Sequence, residues 1–256
     1  MRSTPVTPEG DLIRWTEFPG REPVRVWLHG LGATSAYFNE IAHHPLLAGH
    51  RSLLVDLMGH GLSDRPAGFG YALEDHADAV AAAMAAAGVA DAQVVGHSMG
   101  GSVAIVLAAR HPRLVSRLVL VDANLDPLPP APGTAGSSGI AAYTEAEFLA
   151  GGWAEVRDRA GGHWWSTMRL TDRTALHRSA VRLAGGTRPT MRELLVDLDV
   201  PRTFLHPEAD GAPDRADALA AAGVAVVPVA DCGHNIMLDN PDGMAAATAE
   251  GLGRPA

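Results

Sequence analysis

The sequence predicts an α/β protein, a mostly parallel sheet flanked by helices, and three observations carry that prediction. Short apolar runs alternate with helix-like segments over most of the 256 residues. A Gly-x-Ser-x-Gly turn, Gly96-His97-Ser98-Met99-Gly100, stands between one such run and a helical stretch. The alternation breaks once, over residues 125–199, and then resumes. Strands and helices in alternation imply parallel strands joined by crossover helices that cover both faces of the sheet.

The elements follow in order. Residues 11–18 offer only partial alternation through Leu12, Ile13, Trp15 and Phe18, which suits an antiparallel edge strand. Residues 24–29, 52–56, 93–97, 118–122, 203–206 and 224–229 are the apolar strand candidates. Between the second and third of these, Leu73, Ala77, Val80, Met84 and Ala87 recur at steps of four and three, an amphipathic helix that Gly88 is placed to end. Residues 102–110, rich in Ala, Val, Ile and Leu, read as the helix after the Ser98 turn.

Residues 125–199 open on a Pro- and Gly-rich stretch, 126–133, and continue through helix-like pieces that hold Tyr143, Phe148, Trp153, Trp164 and Trp165. This reads as a cap inserted into a core made of residues 1–124 and 200–256. No repeat at a solenoid or propeller period is visible.

Composition narrows the function. Apolar residues make up 47% and charged residues 19%, an ordinary globular balance far from the disordered regime. The net charge is −9 and every basic side chain is an arginine, because the chain contains no lysine. That balance argues against a surface that tracks phosphates and favours neutral or cationic small-molecule substrates over polyanions. No nucleic-acid partner is expected, and composition is silent on oligomeric state. The single cysteine, Cys232, cannot form an intramolecular disulfide and is read as an inert thiol in a reducing compartment. The first ten residues lack the apolar core of a signal peptide, and no run approaches the ~20 apolar residues of a membrane span. The expectation is a cytoplasmic protein without a membrane partner.

The chemistry centres on Ser98. A serine hydroxyl is a weak nucleophile near neutral pH, so it needs a base within hydrogen-bond reach and an acid to orient that base. His234, preceded by Gly233 in the loop after residues 224–229, supplies the base. A tetrahedral oxyanion needs two donors, and the glycine-rich turn His29-Gly30-Leu31-Gly32 directly follows a strand candidate. The backbone N–H groups of Leu31 and Met99 are the candidates. The twelve histidines invite a metal reading, but none has His-Glu-x-x-His spacing or lies in a Cys/His cluster. Neither a dinucleotide fingerprint nor a lysine-bearing phosphate loop is present, so no metal and no cofactor is expected.

Four motifs in order, His29-Gly30-Leu31-Gly32, the 56–66 stretch Asp56-Leu57-Met58-Gly59-His60-Gly61-Leu62-Ser63-Asp64-Arg65-Pro66, Gly96-His97-Ser98-Met99-Gly100-Gly101 and Gly233-His234, resemble the α/β-hydrolase superfamily over almost the full chain. The resemblance implies an α/β-hydrolase fold with an eight-stranded, mostly parallel sheet, a helical cap above the site, and Ser98, an acid and His234 in that chain order. His29 and His60 fall in family motifs, where shaping the neighbouring backbone is their expected part. The acid departs from the common pattern. Most relatives place it in a Gly-x-x-Asp turn, matched here by Pro207-Glu208-Ala209-Asp210 with proline for glycine, whereas some branches take it from the end of the preceding strand, here Asp122. Asp210 and Asp122 both stand, with Glu208 and Asp126 behind them.

The function this implies is a serine hydrolase that cleaves a small or medium, largely apolar ester or lactone through an acyl-enzyme. C–C bond hydrolysis by the same residues, or a non-catalytic receptor on the same fold, are the alternatives. Dehalogenase and epoxide hydrolase relatives carry Asp where this chain has Ser98. Gly30, His97, Trp153, His163, Trp164, Trp165 and Met168 are the candidate pocket residues, the aromatic ones equally suited to a core.

Overall fold

The computed structural model describes residues 1–253. Eight strands form one sheet: β1 (Arg2–Pro5), β2 (Leu12–Phe18), β3 (Arg21–Leu28), β4 (His50–Asp56), β5 (Ala92–His97), β6 (Val115–Val121), β7 (Arg202–Pro207) and β8 (Val224–Val229), in spatial order β1-β2-β4-β3-β5-β6-β7-β8. β2 is antiparallel to both of its neighbours, and the pairs from β4 to β8 are parallel. The 11–18 strand is therefore antiparallel as expected but not at the edge. β1 covers it, and its sequence, Arg-Ser-Thr-Pro, carries no apolar alternation that could have revealed a strand.

The helices between the strands are α1 (Asn39–His43), α2 (Leu73–Ala86) and α3 (Met99–Arg110). α4 (Gly136–Ile140), α5 (Glu145–Glu147), α6 (Trp153–Arg159), α7 (Gly162–Met168), α8 (Arg173–Gly185) and α9 (Met191–Asp197) all lie between β6 and β7. α10 (Ala216–Ala221), α11 (Ile236–Asp239) and α12 (Pro241–Gly253) complete the chain.

Successive side chains on a strand point to opposite faces, and each face here has its own apolar layer. Val26, Leu28, Leu53, Val55, Val94, Leu118, Leu120 and Phe204 join the layer under α2 and α3. Trp27, Leu54, Val95, Val119, Val121 and Leu205 join the layer under α1 and α12. Strands buried on both sides cannot alternate apolar with polar residues, which is why they read as continuous runs. α2 buries Leu73, Ala77, Val80 and Met84, the predicted stripe. Gly88 closes it at φ +64°, with its N–H on the Ala85 carbonyl and the Val89 N–H on the Met84 carbonyl.

The segment between β6 and β7 has no strand and buries Ile140, Phe148, Trp153, Val156, Met168, Leu176 and Leu195 into the layer shared with α2 and α3. Among the described residues, no helix is long and apolar enough to cross a membrane.

Candidate active site

β5 ends at His97 and α3 begins at Met99, so one residue makes the turn. That residue is Ser98, with φ +51° and ψ −122°, a conformation that costs an L-residue of order 1–3 kcal/mol and persists only where its surroundings enforce it. The enforcement is close packing. A Cβ on Gly100 would fall on the backbone carbonyl oxygens of Leu28 and His29, and one on Gly96 would fall on the Gly100 carbonyl. Any side chain at either position would push the start of α3 off the sheet and relax the turn.

The register of the sheet brings in the acid. β5 and β6 are neighbours with His97 paired to Val121, and the Ser98 N–H donates to the Val121 carbonyl at 2.9 Å. The next residue on β6, Asp122, is fixed by its own N–H to the Leu205 carbonyl at 2.8 Å and has φ +44°. It therefore leaves the sheet at the level of Ser98. Its Oδ2 accepts from His234 Nδ1 at 2.6 Å, across 112 residues of sequence. An ionised carboxylate can only accept, so in this bond the imidazole donates from Nδ1 and turns Nε2 away from Asp122.

Asp210, the other sequence candidate, makes no bond to His234. Proline at 207 ends β7, the chain turns at once into a short helical turn over Glu208–Asp210, and all three of these residues are exposed. β7 is one strand farther from β5 than β6 is. Glu208 is likewise turned to solvent, and Asp126 is taken by Arg192 at 2.6 Å and Arg215 at 3.2 Å.

Ser98 and His234 both line a cavity of about 660 Å³. Among the described residues the Ser98 hydroxyl makes one long hydrogen bond, to Asn124 Oδ1 at 3.5 Å, and none to the imidazole. Long or misaligned contacts of this kind are usual before a substrate is bound. The Leu31 N–H has no acceptor among the described residues, and Met99, as the first residue of α3, has one of the N–H groups that a helix leaves open. Leu31 is in the cavity wall; Met99 is wholly buried beneath it.

Histidines shape the surroundings. His29 Nδ1 donates to the Gly30 carbonyl at 2.8 Å and its Nε2 accepts from the Leu57 N–H at 3.0 Å, which ties the Leu31 loop to the end of β4. His60 Nδ1 donates to the Met58 carbonyl. His97 Nε2 donates to the His234 carbonyl at 2.9 Å, and the two rings lie 4.7 Å apart. Burial, reinforced by the neighbouring His234, pushes the His97 ring well below the usual histidine range, so it stays neutral. Cys232 donates to the Val229 carbonyl at 3.2 Å, and burial pushes its thiol up, the signature of an unreactive sulfur. Among the described residues, no group of three or more His, Cys, Asp or Glu side chains could hold a metal ion.

A model of the alpha/beta hydrolase fold family matches residues 26–163, more than half of the chain. The chain belongs to that family. An esterase from Exiguobacterium antarcticum superposes with a TM-score of 0.79 over 98% of both chains, at 20% identity, which speaks for the fold. A sn-1-specific diacylglycerol lipase from Mus musculus is 35% identical over 126 residues, 49% of this chain and 40% of its own. A 2-hydroxymuconate semialdehyde hydrolase from Pseudomonas sp. is 38% identical over 96 residues, 37% of this chain and 34% of its own. The chain thus spans less than half the length of these curated relatives.

Within this alpha/beta hydrolase fold, the pocket residues divide. Gly30, His97, His163 and Trp164 line the cavity as expected. Trp153, Trp165 and Met168 do not. Met168 is fully buried, and Trp153 packs on Phe148 and Trp165 with the Arg173 guanidinium 5.0 Å from its ring, so these three form the core of the helical segment. Trp164 and Trp165 point to different sides of α7, and sequence alone gives no sign of which side meets the cavity. Sequence reading missed Tyr37, Asn124, Ser137, Ser138 and Asn235 in the wall. Asn124 and Asn235 each stand within two residues of Asp122 or His234, a proximity that could have found them; Tyr37 had no signal.

Proposed function

We propose that the protein is a serine hydrolase that opens neutral, largely apolar carboxylic esters or lactones of small to medium size through an acyl-enzyme. The observation that carries this reading is the 2.6 Å bond from His234 to Asp122 behind a cavity whose wall holds both His234 and Ser98. In the proposed reaction His234 Nε2 takes the Ser98 proton as Oγ attacks the carbonyl carbon. The Leu31 and Met99 N–H groups hold the developing oxyanion, each such donor being worth about 3 kcal/mol of barrier. As the tetrahedral species collapses, the protonated imidazole passes its proton to the departing alkoxide. Water, deprotonated by the same nitrogen, then releases the acid; from a lactone both products stay in one hydroxy acid. Residues 125–199 act as the cap, with α4 and α7 bounding the substrate.

The neutral substrate follows from the wall. Among the described residues it contains no arginine, aspartate or glutamate, only histidines, amides, hydroxyls and apolar groups. A carboxylate held there would have no cation beside it, which weighs against the C–C hydrolase reading for an acid such as a muconate semialdehyde. The test is intact mass after treatment with a fluorophosphonate, comparing the native chain with Ser98→Ala, followed by a panel of neutral p-nitrophenyl esters and lactones. A Ser98-dependent adduct and ester turnover are expected. No adduct, together with ligand binding that survives Ser98→Ala, would establish a receptor instead.

A further inference from the structure

We propose that Trp164 is a positioning residue for the Leu31 N–H, so that docking of α7 and completion of the oxyanion site are one event. This deepens the hydrolase reading and rests on it for its catalytic meaning. Two peptide planes flank the Leu31 Cα. The first holds the Gly30 carbonyl and the Leu31 N–H, and its carbonyl accepts from the Ala33 N–H at 3.1 Å and from His29 Nδ1 at 2.8 Å. The second begins with the Leu31 carbonyl, which accepts from the Trp164 indole Nε1–H at 2.8 Å. The loop and the core hold one plane; the helical segment holds the other. The Leu31 N–H lies in the first plane, and the Trp164 bond acts on it through the shared Cα, by limiting how far the first plane can tilt against the second.

The loop is built to receive this indole. Gly32 has φ +67°, and a Cβ there would collide with Trp164 Nε1. A second anchor lies one residue away on α7, where the Tyr37 hydroxyl donates to the His163 carbonyl at 2.9 Å, and the Thr167 hydroxyl donates in turn to Tyr37 Oη at 3.4 Å. Three hydrogen bonds therefore join α7 to residues 31–37, the stretch that carries the proposed donor. An oxyanion donor acts through exact placement at the position the oxyanion will occupy. A cap helix that withdraws to admit substrate would free the Leu31 carbonyl plane and, through the Cα, loosen the N–H beside it; one that returns would restore both.

Trp164→Phe keeps an aromatic ring but removes the indole donor together with part of the ring's bulk. Its kcat for a neutral p-nitrophenyl ester is expected to fall about tenfold or more, a fraction of what loss of a whole oxyanion donor costs. Fluorophosphonate labelling should slow in parallel with kcat, since both steps need the oxyanion. Tyr37→Phe should cost less, and the double variant less than the product of the two, because both act through α7. Independently of turnover, amide hydrogen exchange over residues 29–37 should quicken in Trp164→Phe while the unfolding midpoint stays near that of the native chain. Native labelling and kcat in Trp164→Phe, or unchanged exchange over 29–37, would overturn the proposal. If the native chain itself does not label, the hydrolase reading falls, and the exchange experiment still decides whether Trp164 holds the loop.

Discussion

The two walls of the cavity are made by different means. On the sheet side, Ser98 and Asp122 are placed by strand register, each pinned by a backbone hydrogen bond to the next strand and each at positive φ. On the helical side, Trp164 and His163 reach the cavity only because Trp153, Trp165, Phe148 and Met168 pack beneath them. Backbone hydrogen bonds between neighbouring strands place the first pair, whereas side-chain packing in the helical segment places the second.

The largest effect is expected at Asp122. Asp122→Asn should lower kcat by about four orders of magnitude, because an amide stabilises the wrong imidazole tautomer, while Asp210→Asn should leave kcat/KM near the native value. Equal effects in the two variants would refute the register argument. On the helical side, Met168→Ala should cost about 2–5 kcal/mol of stability by urea unfolding, the range for emptying a buried site. If the cavity wall depends on that packing, KM should rise more than kcat falls.

Gly100→Ala tests the sheet side by steric means. Its Cβ meets two backbone carbonyls that cannot rotate away, so about 1–3 kcal/mol of stability should be lost, with labelling of Ser98 slowed as the turn relaxes. Retention of both would show that the close approach is not what holds the turn.

The smallest effect lies at the seam between the two regions, where His76 on α2 faces Ser179 on α8 with Nε2 3.3 Å from the hydroxyl. Burial pushes His76 down to about 3, and burial likewise lowers His29, His60 and His97. These rings are neutral in the fold and protonate in the unfolded chain near the ordinary histidine value of about 6.5. Below that pH the unfolded state binds more protons, so their contribution is whole above pH ~6.5 and declines as pH falls toward the folded values. Urea midpoints measured from pH 7.5 down to 4.5 should drop accordingly, and less so in His76→Gln.

Much of this was legible before any coordinates. The parallel strands announced themselves as unbroken apolar runs because both of their faces are buried, and α2 as a stripe because only one of its faces is. Ser98 was legible because close packing calls for glycine two residues to either side of it, which leaves a pattern in the chain. β1 was not, since a short edge strand is held by backbone bonds that any residue can make. The acid was not either. Asp122 and Asp210 both follow apolar strands, and what separates them is that Asp122, at positive φ with its N–H on Leu205, meets His234, while the turn after Pro207 leaves Asp210 in solvent. Trp164 and Trp165 are adjacent in sequence yet face different surroundings, and the choice between cavity and core was made by the orientation of a single helix. The sequence by itself determined the parallel strands and the Ser98 turn, because local geometry and burial write themselves into residue type. Only the tertiary structure decided which carboxylate meets His234 and which tryptophan meets Leu31, because contacts across more than 100 residues depend on register and packing that no local pattern records.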